Sequence, residues 1–153
     1  MTDNPYDQLR SMALTVEPRS IGISPTGDAP HVFGVVMDLG MERGNATLVA
    51  FADGAVSLYY SSGGGMIGAG EHETIRSAAH RLLAVANTDI ASFSADVPDA
   101  LPPERSTQLT LLTFDGPLRA TAPSDDFGYD RVPGGLVFRA AHDVIAQMRE
   151  LNP

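Results

Sequence analysis

The sequence predicts an α+β domain in which one antiparallel sheet of about five strands is flanked by about three helices. Three observations lead there. Alternating apolar residues mark strands on either side of two Asp-Gly pairs, Asp53-Gly54 and Asp115-Gly116, and such pairs are the strongest short-range hairpin signal. Residues 71–87 carry an apolar stripe at helical spacing. At 153 residues the chain suits one domain, 1–153, with a sizeable core.

Each element follows in order. Residues 4–16 read as a helix, with Asp3 or Asn4 as cap, Pro5 in the first turn, and Leu9, Met12, Ala13 and Val16 as its apolar face. Pro18, Pro25, Gly27 and Pro30 make the next stretch a loop. Val32 to Leu39 alternates and places Phe33, Val35, Met37 and Leu39 on one face. Thr47 to Ala52 and Ala55 to Ser61 form a hairpin around Asp53-Gly54, for which a type I′ turn is expected. The helix over 71–87 buries Ile75, Ala78, Ala79, Leu82, Leu83 and Ala86. Residues 88–106 have no period and read as a long connection. Thr107 to Phe114 and Leu118 to Ala122 form the second hairpin, where Pro117 points to an edge strand. Residues 123–136 read as loop, and the last helix covers about 138–151. The order is α-βββ-α-ββ-α.

Composition excludes several function classes. A formal net charge of -9 and a pI near 4.6 oppose nucleic acid, whose phosphates need clustered Lys and Arg, and oppose anionic membrane surfaces. No apolar run reaches the roughly 20 residues of a membrane span. The start Met1-Thr2-Asp3-Asn4-Pro5 is not that of a signal peptide, so a cytoplasmic address is expected. Cysteine and lysine are both absent. That removes thiol nucleophiles, cysteine metal sites, the phosphate-loop lysine and Schiff-base chemistry. An arginine-only, Ala- and Gly-rich composition points to a bacterial chain from a GC-rich genome.

The segment Ser61-Ser62-Gly63-Gly64-Gly65-Met66-Ile67-Gly68-Ala69-Gly70-Glu71-His72-Glu73 is the natural place to seek a site, because five glycines in eight residues imply backbone angles or close approaches that other residues cannot make. Gly63-x-Gly65-x-x-Gly68 formally meets the dinucleotide fingerprint. However, the preceding strand belongs to an antiparallel hairpin, and the helix begins only after Gly70, too late to receive a pyrophosphate. Glu71 and Glu73 in the first helical turn also repel an anion. Consecutive residues of a helix point about 100° apart, so Glu71, His72 and Glu73 cannot converge on one metal. No metal and no cofactor is expected. Asp125-Asp126-Phe127-Gly128 lacks the other kinase motifs. Asp38 is expected on an exposed face or at a turn, as is His31. Tyr59 and Tyr60 should point to opposite sheet faces, and His80 into solvent.

The block LYYSSGGGMIGAGEHE (residues 58–73) resembles one shared by a family of small bacterial proteins with no known activity, the resemblance covering residues 32–83 best. In topology the helix–sheet–helix order is similar to roadblock, longin and other profilin-like domains, which implies a non-enzymatic, dimeric binding module. This chain departs from them in placing three strands before the central helix and in the glycine loop. Two readings of function follow. One is a non-catalytic cytoplasmic binding or regulatory module, with a homodimer or protein partner as the expected assembly. The other is a small-ligand binder or enzyme at the glycine loop, with Ser61, Ser62, Gly63, Gly64, Gly65, Glu71, His72 and Glu73 around the ligand.

Overall fold

The computed structural model describes residues 5–151. Its elements are α1 (Pro5–Thr15), β1 (Val32–Met41), β2 (Gly44–Phe51), β3 (Val56–Tyr60), β4 (Gly65–Met66), α2 (Glu73–Thr88), β5 (Ser106–Thr113), β6 (Gly116–Pro123), α3 (Ser124–Gly128) and α4 (Gly135–Leu151). The strands form one antiparallel sheet in the order β4-β3-β2-β1-β5-β6, so the α+β single-sheet class holds. Among the described residues no helix is long and apolar enough to cross a membrane.

The two faces of the sheet are covered differently. On one, Val35, Met37, Leu48, Leu58, Leu109 and Leu111 pack against Ile75, Ala79 and Leu82 of α2 and Val137, Ala141 and Val144 of α4, forming the main core. The apolar stripe of α2 is buried at every position its spacing indicated. On the other face a smaller cluster joins Ala13 of α1 and Ile23 to Phe33, Val36, Val49 and Leu112. Phe33 lies on this second face rather than beside Val35 and Met37. The cause is a register irregularity between Val32 and Gly34, a bulge that inverts the alternation on one side of it. Tyr59 packs on the α1 side, and Tyr60 is partly exposed, as period-2 alternation requires.

Four local features differ from the sequence expectations. The Asp53-Gly54 turn is not type I′, which needs positive φ at both central residues. Only Gly54 has it, at φ 90°, and the turn closes by Gly54 N–H to the Phe51 carbonyl at 2.9 Å. Residues 124–128, read as loop, form the short α3, whose Phe127 is fully buried. Met12, assigned to the apolar face of α1, is 67% exposed, and Tyr6 is buried instead. The glycine segment, read as a connector, supplies the sixth strand. The expected caps Asp3 and Asn4 lie outside the described residues.

Two long connections are held by side chains. Asn87 near the end of α2 accepts from the N–H groups of His31 and Val32 at 3.0 and 2.8 Å, and donates to the carbonyls of Val32 and Leu83. That ties the entry of β1 to α2. The connection before β5 runs across the α1 side of the sheet, where Asn45 donates to the Pro102 carbonyl at 3.0 Å. A Cβ on Gly40 would collide with the Pro103 carbonyl. β6 is an edge strand, as Pro117 indicated, and its outer side is half closed by reciprocal Ser94–Arg119 backbone bonds.

Candidate functional site

The densest polar constellation surrounds Asp38. Pairing of β1 with β2 and β5 sets Asp38 opposite Thr47 and Gln108, so three polar side chains form one row on the α1 face. Asp38 is fully buried, contrary to the exposed position expected from its place near a strand end. Arg10 of α1 forks onto its carboxylate, Nε to Oδ1 at 2.8 Å and Nη2 to Oδ2 at 2.9 Å. Thr47 donates to Oδ1 at 2.6 Å, and Gln108 reaches Oδ2 at 3.3 Å. Tyr6 Oη lies 2.6 Å from the Thr47 hydroxyl. Arg10 also grips Asp99, at 2.6 and 3.1 Å, and Gln108 donates to Asp99 at 2.8 Å. Every polar partner is thus matched, the condition for a buried carboxylate to be tolerated. The network fastens α1 and the 93–105 connection to the sheet, and it is a structural lock.

Burial acts against the Arg10 charge, but the hydrogen bonds it donates to Asp38 and Asp99 outweigh that and raise the guanidinium above its usual value. Burial likewise raises the Tyr6 phenol. The Arg10 hydrogen bond holds the Asp99 carboxyl below its usual range, against the opposing effect of partial burial. On α4, burial of the His142 ring, then Arg149, pushes that imidazole below its usual range. Its Nε2 is buried with no hydrogen-bond partner among the described residues.

A pH dependence follows. His142 resists protonation in the folded chain, so the unfolded chain takes the proton first, and stability declines as pH falls below about 6.5. Asp99 is depressed, so its contribution is present above the ordinary aspartate value of about 3.9 and is lost as pH falls through the lower folded value. Its side chain is 35% exposed, and solvent screening keeps that contribution below about 1 kcal/mol. In urea unfolding, His142→Leu should flatten the decline between pH 7 and 5, and Asp99→Asn the further decline below about pH 4. Identical wild-type and His142→Leu profiles between pH 7 and 5 would contradict the histidine assignment.

The glycine segment forms a turn and an edge. Gly63 N–H bonds to the Tyr60 carbonyl at 2.9 Å, and Gly65–Met66 then pairs back onto Leu58 and Tyr59. The Ser61 hydroxyl accepts from the Asn45 N–H at 2.8 Å, a structural use. Ser62, Gly63 and Gly64 stand at the exposed tip, and Gly68 leads into a 3-10 turn over Ala69–Glu71. His72 is the N-cap residue of α2 but makes no side-chain capping bond, and Glu73 occupies the first turn. Glu71, His72 and Glu73 are all exposed. Of the candidate residues, Gly65 borders a depression of about 190 Å³ that is also lined by Leu58, Tyr60, Met66, Ile145, Met148 and Arg149.

A larger cleft lies elsewhere. It has a volume of about 460 Å³ and is enclosed by residues 22–29, the β2–β3 turn and one side of α2. Ile23, Ala29, Ala52, Leu83 and Ala84 give it an apolar floor, while Ser24, Thr26, Asp28, Asp53 and His80 supply polar groups. Local chemistry sets each wall. Gly22 turns the chain in the left-handed region at φ 76°, and Ile23 N–H bonds to the Pro18 carbonyl at 2.9 Å. The Thr26 hydroxyl accepts from Ala29 N–H at 3.0 Å, presenting Asp28 on the turn between them. Asp53 accepts from Ala55 N–H at 3.0 Å through one oxygen. Among the described residues, the side chains of Ser24, Asp28 and His80 make no hydrogen bond. His80, expected in solvent, is exposed but borders this cleft.

Among the described residues no group of three His, Cys, Asp or Glu side chains is placed to hold a metal ion. In comparisons with known proteins, no family model matches the chain, and neither a curated protein nor a solved structure matches it. The fold and these sites therefore carry the functional reading.

Proposed function

We propose that this domain is a non-catalytic binding module that takes a small molecule in the cleft between residues 22–29, the β2–β3 turn and α2. The observation that carries the reading is the cleft itself. Its volume of about 460 Å³ lies in the range of small-molecule sites, roughly 300–1,000 Å³, and it combines an apolar floor with a few polar groups, as such sites do. The absence of lysine and cysteine from the sequence narrows the chemistry the chain could run, and the buried charges of Asp38 and Arg10 are engaged with each other. A homodimer or protein partner in the cytoplasm belongs to the same proposal.

The second reading, a ligand at the glycine loop, is favoured by one observation: the depression of about 190 Å³ beside Gly65, with Tyr60 and Arg149 at its walls. A thermal-shift screen of metabolites on wild type and on Ala84→Phe separates the two. Ala84 is an exposed position of α2 that lines the cleft, so phenylalanine fills the cleft without entering the core. A cleft ligand at a hundred times its Kd should raise the wild-type Tm by about 5 °C or more and leave Ala84→Phe unchanged. Ligands that stabilise both proteins equally would sink the cleft reading.

A further inference from the structure

Resting on that reading, we propose that the ligand is a cation: a small organic amine or ammonium with an apolar body. The charged groups that line the cleft are the carboxylates of Asp28 and Asp53, and no arginine is among the lining residues. The sequence holds no lysine that could reach in from outside. Arg76, whose stem neighbours Gly54, directs its guanidinium to the carbonyls of Gly70 and Glu71 at 3.2 and 3.4 Å.

The two carboxylates keep acceptor capacity for a ligand. Asp28 has no hydrogen bond among the described residues, and Asp53 uses only one oxygen, toward Ala55. An entering anion would meet these charges with no arginine or lysine side chain among the lining residues to offset them. An ammonium group needs one or two carboxylate acceptors and gains a charge-assisted bond from each. A bare metal ion needs a fuller set of ligands, and no such set of three is present among the described residues. Ile23, Ala29 and Leu83, each nearly buried, provide contact for hydrocarbon behind the charge. The His80 ring adds an acceptor nitrogen or an aromatic face. The net charge of -9 further concentrates cations near the surface.

The test is a ¹⁵N–¹H NMR titration of the full chain at pH 7.5 with benzylamine, benzyl alcohol and benzoate, which share one ring and differ in charge. Benzylamine should shift amides within residues 22–29, 52–54 and 80–84, and bind about tenfold more tightly than benzyl alcohol, with no benzoate binding. Asp28→Asn and Asp53→Asn should each weaken benzylamine several-fold while leaving benzyl alcohol unchanged. Both substitutions sit in surface turns, and retained spectral dispersion reports the fold. Cleft shifts from benzyl alcohol as strong as those from benzylamine would overturn the cation inference and leave the binding reading standing. No shift in the cleft from any of the three would overturn both.

Discussion

Replacing Asp38 with alanine should lower the stability of the domain by about 2–4 kcal/mol, because it leaves the buried Arg10 guanidinium with Asp99 as its remaining carboxylate and takes from Thr47 the acceptor of its hydroxyl. Arg10 is only 11% exposed and Asp38 fully buried, so neither group can be rehydrated in place. Arg10→Ala should cost a similar amount, since it leaves the Asp38 carboxylate buried without its cation. The double variant should be far less destabilised than the sum of the singles, a coupling of about 1–3 kcal/mol. Urea unfolding measures all three. Hydrogen exchange adds a spatial readout, in which the amides of α1 should lose protection ahead of α2 and α4. An Asp38→Ala variant within 1 kcal/mol of wild type would show that the lock is no more than a surface ion pair in strength.

The second large effect concerns the glycine segment, whose members are not equivalent. Gly65 has φ 147°, and a Cβ there would collide with the Leu58 carbonyl across the β3–β4 pair. Gly70 is buried, and its Cβ would meet the Gly54 carbonyl. In both cases the obstacle is backbone, so main-chain segments must move apart rather than a side chain swing away. Gly65→Ala should cost about 2–4 kcal/mol and Gly70→Ala about 3 kcal/mol. Gly63 and Gly64 also have positive φ, but nothing stands within 4 Å of a Cβ at either. Their alanine variants should lose only about 1–2 kcal/mol, from backbone strain alone. Equal losses at Gly63, Gly64 and Gly65, all of which have positive φ, would mean that conformational strain, and not close packing, determines the use of glycine in this turn.

Much of the fold was legible because it is written locally. The stripe of α2, the alternation of β2 and the Asp-Gly pairs each occupy a few adjacent residues, and each element lies within a few residues of its expected position. The misses have non-local causes. Phe33 changed faces through a bulge whose existence depends on pairing with β5. Asp38 looked like a strand-end charge because Arg10 lies 28 residues before it and Asp99 is more remote still in the sequence. Only the register of three strands brings Thr47 and Gln108 beside it. β4 has two residues among glycines, which carry no strand signal of their own. α3 is a single turn in a stretch of turn formers, where Phe127 is buried through tertiary packing that includes Phe138 of α4.

The cleft escaped sequence reading for a related reason. Asp28 and Asp53 are ordinary turn residues, and each has a sufficient local explanation. His80 sits on the polar side of an amphipathic helix, where a histidine is unremarked. Their joint meaning comes from three segments meeting in space. The glycine segment, by contrast, was conspicuous in sequence, and its composition is accounted for largely by a turn, an edge strand and two backbone approaches.

Crystallographic soaking of a fragment library tests the central claim most directly, because it places ligands without presuming their chemistry. The binding-cleft account expects fragments between residues 22–29, the β2–β3 turn and α2, with basic fragments bonded to Asp28 or Asp53. An empty cleft, with fragments gathered instead beside Gly65, Tyr60 and Arg149, would contradict it and return the site to the glycine loop.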